Sequence, residues 1–516
     1  MKKIITLIFS LYLTIDATAQ IFHKKYAYSG EIMQGVTSVV NNNRIYIASS
    51  STMLPGMFTI QKTDLAGNLV IARSIFYGTS IPTVKVNKMI TSGDRLYIVG
   101  SLQQTSQSDG LVLALDTNLT TIYYTKSFGT NTGVEVFNDV ILASNNDLIM
   151  VGNSTVPTGT VSVTKAVPFI VRAAAATGTV VYQKIYEDAS NKYLFSVTED
   201  VVNNTLFASG TIQGTNGTHV MKLTNDNLGN ILTAKNIIFA SNTMNVKKLQ
   251  VYGNKLFLVG GDINNNLTTV ETDLSVNALV MPKFYSNFKY QDMIKVNKNN
   301  YITGFTIPTS TVSYLAALRM DSLFVPQISA TYTLVQVPVA SWSAANVVNK
   351  SNTMYWITNE SWTAPNPYTN RYIVASDMAL NATCNGSYSL TPGNIVHTMV
   401  TATFTTPVSS FTVINHNPFP NAMTPTITTL CSSTGIENVN ENFEKFIIKN
   451  GTEQVIIVSP YNEYTIELVD MSGKVAFVKN STSANEEIAL GNLSSGIYVI
   501  KLSAQGYEQR QKLIKQ

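Results

Sequence analysis

One short phrase recurs along most of this chain, and it limits what the chain can fold into. Two or three polar turn residues precede a short apolar run that ends on a small residue. The phrase reads NNNRIYIAS from Asn41, SGDRLYIVG from Ser92 and SNNDLIMVG from Ser144. It returns as NNTLFASG from Asn203, YGNKLFLVG from Tyr252, KNNYITG from Lys298 and SNTMYWIT from Ser351. The small terminal residues are Ser49, Gly100, Gly152, Gly210, Gly260, Gly304 and Thr358, spaced 51, 52, 58, 50, 44 and 54 residues apart. Seven copies at about fifty residues match the spacing of four-stranded propeller blades.

Each copy divides into four runs of strand-forming residues. An inner strand such as EVFNDVI from Glu135 comes first, and the marked strand second. A run such as LVLALD from Leu111 is third, and one such as IYYTKSFG from Ile122 is fourth. β-branched and aromatic residues fill these runs, with turn residues between them. No stretch of the repeat holds a 3.6-residue period, so helices are expected to be rare. The last copy has no clear fourth run, whereas IFHKKYA from Ile21 resembles a fourth run ahead of the first copy. Residues 21–28 are therefore predicted to complete the last blade as its outer strand, which removes a free edge.

Asp64, Asp116, Asp226, Asp273, Asp321 and Asp377 end the third run of six copies. An aspartate at a turn bonds its own backbone, and that requirement recurs in nearly every blade, with Ala175 in its place in the remaining one. These residues are read as turn formers rather than as a cation-binding rim. Trp342, Trp356 and Trp362 are read as packing of the last blade.

The composition has 45% hydrophobic and 13% charged residues, enough apolar material for a large core. A net charge of +4 without a basic stripe gives no ground for nucleic-acid binding. Lys2 and Lys3 precede the apolar stretch Ile4 to Leu13 and the small-residue sequence Ala17-Thr18-Ala19. This is the pattern of a signal peptide cleaved between Ala19 and Gln20. Export places the only two cysteines, Cys384 and Cys431, where disulfides persist. Their bridge would close a loop of nearly fifty residues and stabilise by about 4 kcal/mol on the chain-entropy account.

From Gly435 the composition shifts to compact strands and turns. FEKFIIKN, QVIIVSP, YTIELVD, KVAFVKN, EEIALGN, GIYVIKLS and YEQRQKLIKQ are seven such runs, which predicts a small β-sandwich. Leu468 to Lys474 reads LVDMSGK, with Asp470, Gly473 and Lys474 at its turn. Leu493 to Tyr498 reads LSSGIY, with Gly496 and Tyr498, and the chain closes on Gly506 and Lys512-Leu513-Ile514-Lys515. These words resemble the type A C-terminal sorting domain of the type IX secretion system. IKNGTEQV stands where that family has Pro-Asn-Pro. The resemblance implies the type IX machinery as partner, a secreted or cell-surface location, and surface lipopolysaccharide as a possible anchor. KTDLAGN at Lys62 and NDNLGN at Asn225 resemble propeller-like repeats of proteins exported this way, which often carry a paired-cysteine segment after the repeat.

The expected chain is all-β: a seven-bladed β-propeller closed by an N-terminal strand, then a small β-segment, then an Ig-like β-sandwich. The divisions are a signal peptide at 1–19, the propeller at 20–380, a disulfide-pinned strap or linker at 381–435 and the sorting domain at 436–516. His23, His219, His397 and His416 show no metal-binding spacing, and no nucleophile elbow or phosphate loop occurs. The sequence therefore predicts no cofactor, no catalytic residue and no enzyme. It predicts a monomer that binds protein or glycan through loops such as Pro157 to Pro168 and Ser361 to Thr369. The alternative is a glycan or peptide hydrolase or lyase with converging carboxylates, or a Tyr with Arg, at the central channel.

Overall fold

The computed structural model of the chain describes residues 22–432 and 447–515 apart from short internal stretches, the longest being 403–411. The signal sequence, with Ala19 and Gln20, lies outside the described residues. The chain divides into two compact units between Ser433 and Thr434.

The first unit holds seven antiparallel sheets, one per copy of the repeat. Their innermost strands are Met33–Asn41, Thr83–Ser92, Val136–Leu142, Lys192–Asp200, Met244–Tyr252, Lys289–Val296 and Ala345–Lys350. We number the blades 1 to 7 in that order. The polar turns that open the repeated phrase join each inner strand to the second. Asn43, Gly93, Asn146, Asn204, Gly253 and Asn297 all have φ between 49° and 65° in these turns. Asn and Gly tolerate that left-handed conformation, and it suits a tight hairpin. No α-helix occurs among the described residues.

Apolar side chains of neighbouring blades share cores. Ile60, Ile75, Val84, Leu96, Leu113 and Leu115 join blades 1 and 2, and Val112, Phe128, Phe137, Met150 and Phe169 join blades 2 and 3. Trp356 is fully buried in the core of blades 6 and 7, where its indole N–H donates to Ser376 Oγ at 2.9 Å. The side chains of Trp342 and Trp362 lie outside the described residues.

The strand Phe22–Ser29 pairs with Tyr368–Asp377 and becomes the fourth strand of blade 7, as its sequence predicts. Phe22, Tyr26 and Tyr28 are buried there. The seam between blades 7 and 1 is held by a buried arginine. Arg371 donates to Asn359 Oδ1 at 3.1 Å, Gln61 Oε1 at 3.0 Å and Ser49 Oγ at 2.8 Å. Tyr28 also donates to Gln61, and its ring lies 5.3 Å from the guanidinium carbon of Arg371.

Residues 385–432 are not a separate strap between domains. Their described strands form a belt round the outside of the first unit, adding a fifth strand to six of the seven blades. Asn385–Gly386 pairs with blade 6, Pro392–Asn394 with blade 5 and His397–Thr401 with blade 4. Thr412–Asn415 then pairs with blade 2, Phe419–Met423 with blade 1 and Thr426–Ser432 with the N-terminal strand in blade 7. The N-terminal strand is thus flanked on both sides instead of forming an outer edge. An outer propeller strand carries a row of unpaired N–H and C=O groups, and the belt satisfies them in turn.

In the second unit, Ile447–Asn450, Gln454–Val458 and Asn485–Ala489 form one sheet. Val475–Ser481, Tyr464–Asp470, Gly496–Ala504 and Tyr507–Lys515 form the other. Val455, Ile457, Ile466, Leu468, Ile488, Ile500, Leu502 and Leu513 from the two sheets share one core.

Candidate functional site

The glycine that marks the repeat has a physical cause, and that cause builds the site. A methyl group on Gly100 would sit 1.8 Å from the Lys85 carbonyl oxygen. On Gly152 it would sit 1.7 Å from Val136 O, and on Gly210 1.6 Å from Tyr193 O. Each contact lies where the inner strand of the same blade bulges, past Asn87, Asn138 and Phe195. Lys247 and Gln291 occupy the same bulge in blades 5 and 6. A bulge leaves one residue unpaired and re-aims its neighbours. Here these residues, with Lys88, Asp139, Lys248 and Asp292 after them, line a cavity of about 270 Å³ along the axis, to which every inner strand contributes.

One position, paired with the residue before the repeat's small marker and lying after the bulge in six blades, forms a ring of seven: Thr37, Lys88, Asp139, Ser196, Lys248, Asp292 and Asn346. Five of these side chains accept a hydrogen bond from the inner strand of the next blade. Met89 N donates to Thr37 Oγ1, Val197 N to Asp139 Oδ2 and Leu249 N to Ser196 Oγ, each at 3.0 Å. Val347 N donates to Asp292 Oδ2 at 3.4 Å, and Ser38 N to Asn346 Oδ1 at 3.0 Å. The ring pins blade to blade in one repeated way. The bulged Asn87 and Asn138 add to it, donating to Phe137 O at 2.8 Å and Leu194 O at 2.7 Å.

Two positions break the pattern. Lys88 and Lys248 have no acceptor atom and cannot make this link. Lys88 reaches across the channel to Asp292, 3.9 Å away. That carboxylate holds the Lys88 pKa above the ordinary lysine value. The positive charge of Lys88 pushes the Lys248 pKa down, with burial adding to the effect. Burial also lowers Lys247, although its side chain remains open to the channel. Nearby Lys289 is brought down to about 8 by burial and by the Lys247 charge. Among the described residues, neither Lys247 nor Lys248 has a carboxylate within 4.0 Å. Asp139 is already held by Ser196 Oγ at 3.0 Å and by Val197 N. Asp292 is held by Asn346, Val347 and Lys88. The channel therefore presents two lysines to solvent, in a place that disfavours their charge until an anion arrives.

The sequence-predicted positions fare differently. All six repeated aspartates shape their own turns. Asp64 accepts from Ala66 N and Asn68 N, Asp116 from Thr120 N and Thr121 N, and Asp226 from Leu228 N and Gly229 N. Asp273, Asp321 and Asp377 each accept from the backbone N–H groups two and four residues on. In the second unit Asp470 closes its hairpin by accepting from Lys474 N at 3.0 Å. Tyr498 is buried beside Gly496, with its hydroxyl donating to Ser494 O at 2.9 Å. Lys515 Nζ gathers the carbonyls of Leu490, Gly491 and Leu493. Gly473, Gly506, Cys384 and the side chains of Lys512 and Cys431 lie outside the described residues, as do 158–163 and 363–367 of the candidate binding loops. The channel set was missed because its members are scattered from Thr37 to Asn346. Its signal is the column Asn87-Lys88, Asn138-Asp139, Phe195-Ser196, Lys247-Lys248 and Gln291-Asp292, visible once the inner strands are aligned on the bulge.

A second buried acid lies at the junction of blades 2 and 3. Glu135 accepts from Ser154 Oγ at 2.7 Å and Thr130 Oγ1 at 3.1 Å. Burial lifts its pKa from 4.5 to about 7, and the Asp109 charge adds to the rise. Its folded-state pKa exceeds the unfolded one, so the folded chain holds an extra proton between pH 4.5 and 7. Stability from this group is full below pH 4.5 and is lost as pH rises to 7. Glu135→Gln should therefore raise urea-unfolding stability by roughly 2 kcal/mol at pH 8 and leave it little changed at pH 4.5.

Residues 450–516 match the family described as "Secretion system C-terminal sorting domain". No curated protein matches the chain. Among solved structures, the polysaccharide lyase Uly1 is similar over 69% of this chain and 99% of its own, at 9% identity and TM-score 0.36. A neuraminidase-like protein from A/bat/Guatemala/164/2009 is similar over 58% and 88%, at 9% identity and TM-score 0.33. A subtype N11 neuraminidase-like protein of A/flat-faced bat/Peru/033/2010 (H18N11) is similar over 70% and 96%, at 10% identity and TM-score 0.34. The presence of a lyase among these structures corrects the expectation that the chain is no enzyme. That expectation rested on the lack of a local motif, whereas the charged set here is assembled from distant strands. The first unit is an all-β, propeller-like set of sheets, and the C-terminal match, which includes the Asp470 hairpin and the Gly496-Ile497-Tyr498 turn, gives the chain a C-terminal sorting domain that directs it through the type IX secretion system to the cell surface or the medium.

Proposed function

We propose that the exported ring binds an anionic ligand in its axial channel, namely a carboxylate-bearing sugar or the acidic end of a glycan. The observation that carries this reading is the break in the inter-blade ring at Lys88 and Lys248. Five blades use this position for a structural hydrogen bond. Blades 2 and 5 give it up and place cations on the channel. Lys247 adds positive charge at the channel wall, the Lys289 charge lies beside it, and Gln291 offers an amide suited to hydroxyl groups. Phe195 supplies an apolar face. A cavity of about 270 Å³ fits one sugar unit rather than a polymer segment.

Titration calorimetry with galacturonate oligomers, against neutral oligomers of equal length, tests the reading. The acidic series should bind and the neutral series should not. Lys248→Met should weaken binding about tenfold or more, as expected for a lost charge-assisted hydrogen bond of about 1.5–3 kcal/mol. Affinity should fall as pH rises past about 8, because Lys289, whose charge lies beside Lys247, then loses its proton. Equal binding by the double variant Lys88→Met/Lys248→Met would refute the assignment. The same mixtures, assayed for new chain ends, show whether the channel also breaks the glycosidic link. Asp139, Asp292 and the depressed Lys248 are groups able to carry the protons for such a step.

A further inference from the structure

The belt raises a question of its own: what keeps so short a set of strands wrapped round the ring? It pairs through two residues on blade 6, three on blade 5 and four on blade 2. Strands of this length hold weakly by themselves. The two ends of the belt, however, come to the same place. At its start, Asn385 is the register partner of Tyr332 in the outer strand of blade 6. At its finish, Cys431 is the register partner of His23 in the outer strand of blade 7. Tyr332 and His23 themselves touch, their rings edge to face with centroids 5.8 Å apart. Cys384 is the residue next to Asn385 in the chain.

We propose that the belt is a closed hoop, its two ends joined by a Cys384–Cys431 disulfide at the seam between blades 6 and 7. The forty-eight residues from Cys384 to Cys431 would then form a covalent loop with the seven-sheet ring inside it. The hoop would trap the N-terminal strand, which lies between Tyr368–Asp377 on one side and Thr426–Ser432 on the other. His23 marks how closely this seam is packed. Its imidazole is fully buried, and neither ring nitrogen has a hydrogen-bond partner among the described residues. The bond forms by thiol–disulfide exchange. Each cysteine gives up its proton, one S–S bond forms, and the two electrons reduce a disulfide oxidant of the extracytoplasmic compartment to two thiols.

The full exported protein tests the hoop. Alkylation after denaturation without reductant should label neither cysteine, and peptide mass analysis should find Cys384 linked to Cys431. Mild reduction should speed amide exchange in Phe22–Ser29 at least tenfold. The double variant Cys384→Ser/Cys431→Ser should reproduce that faster exchange while the inner strands stay protected. Two alkylated thiols in the unreduced protein, or a bridge between two chains, would overturn the proposal. So would a Cys384–Cys431 bond whose reduction leaves exchange in the N-terminal strand unchanged.

Discussion

A chain that begins at Met33 will fail to form the ring. It lacks the strand Phe22–Ser29, whose Phe22, Tyr26 and Tyr28 are 2%, 0% and 4% exposed. Burial of three such side chains contributes about 5–9 kcal/mol at roughly 1.5–3 kcal/mol each. That is on the scale of the whole stability of an ordinary domain, about 5–15 kcal/mol. The loss also uncovers two strand edges, on Tyr368–Asp377 and on Thr426–Ser432. It removes Tyr28 from the Gln61–Arg371 group as well, leaving that buried cation with fewer partners. The truncated protein should aggregate or unfold at urea concentrations well below those tolerated by the mature chain. A synthetic peptide of residues 22–29 added in trans should restore part of the loss. The milder Tyr26→Ala should cost about 3–5 kcal/mol, as large-to-small changes in aromatic cores do. A Met33 chain with unchanged urea stability would contradict the closure.

The second large effect concerns delivery. Removing residues 436–516 should abolish export past the periplasm, because the sorting domain lies within them. The seven-sheet unit retains its own cores without this segment, so the truncated protein should accumulate folded in the periplasm. Fractionation of cells expressing it, with protease shaving of the surface, reads the outcome directly. Normal surface delivery of the truncation would contradict the sorting role. The converse fusion, residues 436–516 joined to an inert periplasmic passenger, should carry that passenger out.

Much of the fold was legible because its determinants are local. The turn residues, the strand runs and the closing aspartates lie within a few positions of one another. The missing fourth run of the last copy and the spare run at Ile21 gave the closure by simple matching. The marker glycine pointed to the site without revealing it. It counts the copies, whereas its cause is the bulge that turns Lys88, Asp139, Lys248 and Asp292 into the channel. These residues come from four blades and share no local motif, so they become visible only when the inner strands are set side by side. The belt was illegible for a different reason. Its strands are two to seven residues long and rich in Thr, Pro and Asn. They are set by the edges they cover, not by a periodic pattern of their own.

The lysines of the channel carry the proposed binding, and a crystal structure of the mature protein soaked with galacturonate tests them most directly. The account predicts a bound sugar on the axis, its carboxylate within about 3 Å of Lys248 Nζ and its ring against Phe195. An empty channel at saturating sugar, or a sugar bound only at the outer loops, would contradict it.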